Sequence, residues 1–535
     1  MTKSLKKIAL IVSSGTFVSK IGGLVRQLVI AGAFGIGSAY NAYNYAYIVP
    51  GFFLVLIGGI NGPFHNSIVS VLSRKSLKEG NEITRIVNTN LGAILIIFSL
   101  ILFISADPII KIFGPGLSDE VHKIAVIQLQ IMSPIAFFSG LIGIGFGYLN
   151  TKGEFFIPSI SPLLSSILII IIVGVFWLDQ GNEINSYNYA LKGGILLAIS
   201  TLTGAILQWL IQIPSLINKG LRQNKLKWAW NHSGAKEVWK ILYPASLASG
   251  MLQINVFTDL FFASGIIGAA AGLGYANFVV QAPLGLISNT ILLPLLPIFA
   301  RLSDTNQSKK LIKKIEQGLI FSSASMIGIG AVLISLSTPI ITLIYGRGAF
   351  DSTAISLVSK LLIAYGLGMP AYLARDLLVR VYYSIGDAKT PFRISIIGIF
   401  LNILLDWILI GAPYSEGNYF QFDFGPQGIV FATVLINFFT CIYLLLQLKL
   451  KIAIIPINKW LFKIAKLLLS GFITVISVFT LSGLIIWPKD LLELSIGISI
   501  FSLLGILIFI LSAQLMHIDE INDLIILFRK KIIHF

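Results

Sequence analysis

"LGAILIIFSLILFI", residues 91–104, contains no charged side chain. The surrounding segment, about 87–113, reaches roughly 40 Å as a helix, more than the ~30 Å hydrocarbon core of a bilayer. Working outward, comparable apolar runs recur along the chain. Its 535 residues are 56% hydrophobic and only 12% charged, with a mean hydropathy of +0.88. A soluble chain of this length would need far more charge to cover its surface. The runs are continuous rather than alternating, which selects helices over a β-barrel. The expected fold class is an all-α polytopic membrane protein with about 14 transmembrane helices. The spans are about 8–36, 41–73, 87–113, 121–149, 155–178, 190–217, 238–265, 270–300, 312–345, 353–385, 391–412, 427–449, 459–487 and 490–515.

The formal charge of +16 would suit nucleic acid, but the cations sit in short loops between apolar runs. Lys3, Lys6 and Lys7, the loop "RKSLKEGNEITR" from Arg74, the loop "NKGLRQNKLKWAWNHSGAKEVWK" from Asn218, Arg301 with Lys309–Lys314, "KLKIAIIPINKW" from Lys449 and the tail "FRKK" all fall on one side. The opposite loops, "GSAYN", "GPGLSDE", "DQGNEINSYNY" and "APYSEGNYFQFDFGPQ", are poor in cations. The positive-inside rule then places both termini in the cytoplasm, which requires an even number of spans. The opening "MTKSLKKIALIVSSGTFV" lacks a small-residue cleavage site and reads as a retained first helix.

Catalytic chemistry finds little support. Cys441 is the only cysteine, and the histidines at 65, 122, 232, 517 and 534 are scattered. No phosphate-binding GxxxxGK[ST] loop, catalytic triad or metal motif is present, so a transporter rather than an enzyme is expected, passive or driven by an ion gradient or membrane potential.

The chain also repeats. "PIIKIFGPGLSD" begins at Pro108 and "PIITLIYGRGAFD" at Pro339; the spans that follow end in "YLNTKGEFFIP" and "YYSIGDAKTPFRI", with Gly153 before Pro158 and Gly386 before Pro391. The offset is 231 to 233 residues and spans six helices, so the copies are parallel. The expected organisation is a lobe of six helices over 1–220, a second over 221–452, and two further helices with a tail over 453–535. Repeats of this kind are frequent in transporters, with the substrate site between the halves.

Charges within the spans mark candidate sites. "KIGGLVR", residues 20–26, puts Lys20 about 18 Å into the first helix, too deep to reach the cytoplasm comfortably. An intramembrane charge costs roughly 2.5–3.5 kcal/mol on insertion scales, and such cations usually face a wet cavity or an anion. Gly22-Gly23 could kink the helix and bring Lys20 and Arg26 to one cavity. Asp259 in "QINVFTDLFFAS", Asp406 in "FLNILLDWIL" with Asn402 one turn earlier, and Thr433 in "GIVFATVL" lie at similar depth, about 9 Å from the outer surface. Such oxygens could hold Na⁺ or a proton. Arg375, Asp376 and Arg380 in "AYLARDLLVRVYYS" suit either a structural ion pair or a substrate contact, with Arg380 able to snorkel. His65 in "NGPFHNS" suits a helix–helix hydrogen bond better than proton transfer.

At these residues the chain resembles the MurJ (MviN) family of lipid II flippases, within the MOP transporter superfamily. "SKIGGLVRQLVIAGAFGIGSAYNAYNYAYIVPGFF", "TILLPLLPIFARL", "IYGRGAFD" and "YYSIGDAKTPFRI" are similar to its first two helices, the end of its eighth and its second-lobe motifs. The resemblance implies movement of undecaprenyl-diphosphate-linked peptidoglycan precursor from the inner to the outer leaflet by alternating access. It implies substrate contacts at Lys20 and Arg26, to which Asn41 and Arg375 are added as candidate substrate-binding positions, and a sodium site at Asp259, Asn402, Asp406 and Thr433. It makes cell-wall synthases candidate partners and the last two helices a groove for the lipid tail. Lys20 stands where an arginine is usual, Asn41 where an acid is usual, and Leu54, Phe278 and Gln281 where charges are usual. Those departures keep open a flippase for another polyprenyl-diphosphate glycan, such as an O-antigen or exopolysaccharide unit. A MATE-like cation-coupled exporter is disfavoured by the two extra helices.

Overall fold

Ser76 opens the helix that contains residues 91–104. Its hydroxyl accepts the Glu79 backbone N–H at 3.3 Å. Ser at the cap and Glu three residues on is the reciprocal pattern that starts helices, and Glu79 also favours the positive helix end. The apolar run then presents Ile94, Ile97, Leu100, Ile101 and Ile104 outward and buries Leu91, Leu95 and Leu102. An exposed apolar face of this size is expected where the surroundings are lipid.

The computed structural model describes residues 5–59, 62–180, 186–221, 226–304, 308–411, 422–452 and 455–518. Lys3, most of the two long outer loops and the tail with "FRKK" lie outside the described residues. Two units group by packing. The first comprises Met1–Ala271 and Arg347–Asp351. Its helices are α1 (Leu5–Phe34), α2 (Ser38–Leu56), α3 (Pro63–Leu72), α4 (Leu77–Ile104), α5 (Ala106–Phe113), α6 (Asp119–Met132), α7 (Ile135–Thr151), α8 (Phe156–Ile160), α9 (Pro162–Gln180), α10 (Tyr187–Leu210), α11 (Ile213–Asn218) and α12 (Ser233–Ala263). The second comprises Gly272–Gly346 and Ser352–Phe535. It holds most of α13 (Ala269–Ile287), then α14 (Leu293–Asp304), α15 (Ser308–Ser335), α16 (Ser337–Tyr345), α17 (Ser352–Ser384), α18 (Lys389–Leu409), α19 (Pro426–Lys451), α20 (Ile457–Gly483) and α21 (Leu491–Leu515). No strand occurs among the described residues. Grouping by packing does not bear on the repeat boundaries.

Eleven of the described stretches are long and apolar enough to cross a membrane, and a twelfth joins α6 and α7 across a 41° bend. The bend falls at Ser133-Pro134, where proline removes a backbone donor and crowds the preceding turn. The remaining two of the fourteen expected spans, 41–73 and 238–265, are also helical. The first is broken after Leu56, where Gly58, Gly59 and Gly62 precede Pro63, and forms α2 and α3. The second falls almost entirely in α12, a 31-residue helix that ends at Ala263 and carries Asn255 and Asp259 among its apolar residues.

The repeat is visible in element lengths. α2 and α13 are both 19 residues long, and α4 and α15 both 28, each pair offset by 231 positions at both ends. The two turns singled out by their glycines have one geometry. Gly153 and Gly386 adopt φ of +71° and +76°. Glu154 N–H bonds Leu149 O at 3.0 Å, and Asp387 N–H bonds Tyr382 O at 3.0 Å. Both are the six-residue closure that ends a helix through a left-handed glycine, a conformation costly for any residue with a Cβ.

Candidate functional site

α1 runs without interruption through Gly22 and Gly23, so the glycine pair does not break it. The two glycines serve different faces. A Cβ on Gly15 would lie 2.9 Å from Ser159 Cβ, one on Gly22 2.3 Å from Leu163 Cδ1, and one on Gly174 3.8 Å from Val29. Residues 15, 22 and 29 repeat every seven positions, which keeps one face of α1 on α8 and α9. Small residues let membrane helices approach closely, so this seam is held by packing. A Cβ on Gly23 would meet nothing within 4 Å. At about 100° per residue, Gly23 lies between Lys20 and Arg26 within an arc of about 120°. Lys20 is exposed and Arg26 half-buried. The two cations therefore border an open strip of helix whose centre has no side chain. No kink is required to bring them to one face.

α2 supplies a feature that the sequence reading overlooked. Tyr40, Tyr43 and Tyr47 stack in a row, with ring centroids 6.0 and 5.2 Å apart and planes 17° and 10° from parallel. Arg26 interacts electrostatically with all three phenols. Gln27 Nε2 donates to Tyr40 Oη at 2.8 Å, and Tyr43 Oη shares a 3.1 Å hydrogen bond with Thr201 Oγ1 on α10. The spacing i, i+3, i+7 is a helical-face signal and was there to be read. Asn41, on the neighbouring face, is 6% exposed, and its Oδ1 accepts the Ala271 N–H at 3.4 Å in the first turn of α13. Leu54 is half-buried on α2, Phe278 half-buried on α13, and Gln281 donates to Asn277 Oδ1 at 3.3 Å.

In the second unit, Asn402 and Asp406 on α18 are both 0% exposed, and Asn402 Nδ2 donates to Asp406 Oδ2 at 2.8 Å. A buried carboxylate is costly unless it meets positive charge or takes up a proton. α19 packs antiparallel to α18. A Cβ on Gly428 would lie 2.4 Å from Leu409 O and one on Gly398 3.3 Å from Ile436, so Thr433 falls near the level of Asn402. Thr433 O accepts Asn437 Nδ2 at 2.7 Å, and Asn437 Oδ1 accepts Arg375 Nη1 from α17 at 3.1 Å. Arg375 thus engages an amide on α19, while Asp376 beside it is exposed. Asp259 is half-buried near the end of α12, and Tyr45 Oη donates to the adjacent Leu260 O at 3.0 Å. Carboxylate, amide and hydroxyl oxygens fit a small hard cation better than a transition metal. Among the described residues no cluster of three His, Cys, Asp or Glu side chains is present.

His65 joins α3 to α7. Asn150 Nδ2 donates to its Nε2 at 2.7 Å, and Nδ1 faces Asn66 Oδ1 at 3.3 Å. Cys441 is buried, its Sγ–H directed to Ala371 O at 3.4 Å.

The chain as a whole is similar to known proteins. The family described as "Lipid II flippase MurJ" matches residues 30–507. The "Probable lipid II flippase MurJ" of Synechocystis sp. is 42% identical over 526 residues, covering 97% of this chain and 96% of its own. The "Lipid II flippase MurJ" of Thermosipho africanus is 29% identical over 516 residues, covering 96% and 97%. A solved structure, "Lipid II flippase MurJ, inward closed conformation", superposes with a TM-score of 0.75 at 28% identity, covering 96% of this chain and all of that one. An inward-facing MATE family transporter of the MOP superfamily superposes at 0.64 over 83% of this chain with 15% identity, a likeness of fold.

Proposed function

Because the chain belongs to the MurJ lipid II flippase family, we propose that it carries undecaprenyl-diphosphate-linked peptidoglycan precursor from the inner to the outer leaflet of the plasma membrane by alternating access, with both termini in the cytoplasm. The observation that supports this reading is the open strip of α1, where exposed Lys20 and half-buried Arg26 flank a bare Gly23. A diphosphate can lie on such a strip and take charge-assisted hydrogen bonds from both cations. Arg26 offers a planar fork. Lys20 supplies charge without that geometry. The polyprenyl tail stays in lipid while the head group crosses inside.

Asn402 and Asp406, with Thr433 on the adjoining helix, would bind Na⁺ or a proton as coupling ion. The ion would neutralise a carboxylate that burial otherwise penalises. Leu54 and Phe278, where charges are usual, favour a second reading: a flippase for a different polyprenyl-diphosphate glycan.

The test is leaflet exposure. The protein is depleted in its own host, and a membrane-impermeant enzyme that cleaves lipid II is added outside. The reading expects total lipid II to rise and its cleavable fraction to collapse. An unchanged cleavable fraction would assign lipid II to another transporter and turn attention to the second reading.

A further inference from the structure

A cavity of about 550 Å³ lies in the second unit, away from the candidate substrate and ion residues. It is bounded by the end of α15, the length of α16, the end of α20 and the turn into α21. Its volume is in the range of small-ligand sites. α15 and α20 both begin at lysine-rich ends, with Lys309, Lys310, Lys313 and Lys314 on one and Lys459, Lys463 and Lys466 on the other. The cavity lies at the opposite ends, which the positive-inside rule assigns to the outer leaflet.

Its lining is divided by polarity. Ser337 is 5% exposed and lines the cavity, and its hydroxyl has no hydrogen-bond partner among the described residues. Thr338 adds a second such hydroxyl, at an exposed position. Lys489 reaches the same cavity and forms no ion pair among the described residues. Asp490 beside it caps α21, accepting the N–H of Leu492 and Glu493 at 3.0 and 3.2 Å, and is not within ion-pair distance of Lys489. The rim is apolar and open, with Phe479 64% and Leu491 51% exposed. Trp487, which packs on Phe501 with centroids 5.6 Å apart, also lines the cavity, and tryptophan is a residue that favours the membrane interface. An exposed cation, an exposed hydroxyl and a buried one on the lining, with hydrocarbon-compatible surface at the mouth, describe a receptor for an anionic amphiphile.

We propose that this cavity binds the phosphate of an anionic outer-leaflet lipid. Lys489 supplies the charge, Ser337 and Thr338 donate hydrogen bonds to phosphate oxygens, and the acyl chains lie along Phe479 and Leu491. The shared chemistry is a phosphate, so a free anion is the competing source.

The full chain in detergent is incubated with phosphatidylglycerol, with phosphatidylcholine, or with inorganic phosphate, and bound species are counted by native mass spectrometry. Phosphatidylglycerol should be retained in preference to phosphatidylcholine. Lys489→Gln should weaken retention about tenfold, the effect of losing one hydrogen bond to a charged group. Lys459→Gln, the same charge change at the other end of α20, should not. Ser337→Ala, a conservative change, should weaken retention less than Lys489→Gln. Equal retention of the two lipids, equal loss in both lysine variants, or inorganic phosphate held as tightly as phosphatidylglycerol would overturn the proposal.

Discussion

Asp387→Asn removes one charge and leaves a side chain that can still accept a hydrogen bond. In the second glycine turn, Asp387 Oδ1 accepts the backbone N–H of Lys389 and Thr390, both at 3.1 Å. Oδ2 accepts the Thr390 hydroxyl at 2.6 Å and the Lys451 ammonium. Burial by itself would raise this carboxyl. The Lys451 ammonium and the hydroxyl and N–H of Thr390 outweigh it and hold its pKa at about 2, against an ordinary 3.8. Just under two units, at about 1.36 kcal/mol each, amounts to about 2 kcal/mol of stability. The folded pKa lies below the unfolded one, so the contribution is complete above about pH 4 and is lost as pH falls towards about 2. The assay is unfolding of the detergent-solubilised protein by added SDS, followed by circular dichroism. Near pH 7 the variant should be less stable by about 2 kcal/mol, and the gap should fall below half by about pH 2.5. A gap that persists unchanged to that pH, or is absent near pH 7, would refute the electrostatic account of this turn.

Other outcomes follow from the site. Arg26→Ala should abolish precursor translocation, measured as externally cleavable lipid II, while membrane insertion and unfolding midpoint stay near wild type; full activity would remove the phosphate role. Gly22→Val should destabilise by about 1–3 kcal/mol through overpacking on Leu163. Gly23→Ala, its neighbour, should stabilise α1 by up to about 1 kcal/mol in the same unfolding assay, since alanine favours the helix and meets open space. Asp406→Asn should flatten the sodium and pH response of transport in vesicles, and an unaltered response would dismiss the ion site.

The membrane class and the repeat were legible because each depends on local chemistry: apolar length and spacing. The break after Leu56 was less so. "IGGINGPFHN" contains three glycines and a proline, yet apolar residues on either side let it pass as one span. The reading of Gly22-Gly23 as a kink failed for a tertiary reason. Whether glycines bend a helix or fit it against a neighbour depends on what packs there, and Leu163 is 141 positions away. Arg375 illustrates the same limit, since its partner Asn437 lies 62 residues downstream. The tyrosine row of α2 was in plain view; aromatic residues among apolar ones simply read as core.

Cys441 has a practical consequence. The chain carries one thiol, buried between α17 and α19 and shielded from aqueous reagents. Any cysteine introduced elsewhere is therefore the sole accessible nucleophile of its kind, without first stripping native sulfurs from the molecule. Thiols placed singly along the strip from residue 20 to residue 26 would report, by reaction with impermeant maleimides on either side of a sealed vesicle, which compartment water enters from. The protein thus comes equipped for watching its own working cycle, one labelled position at a time.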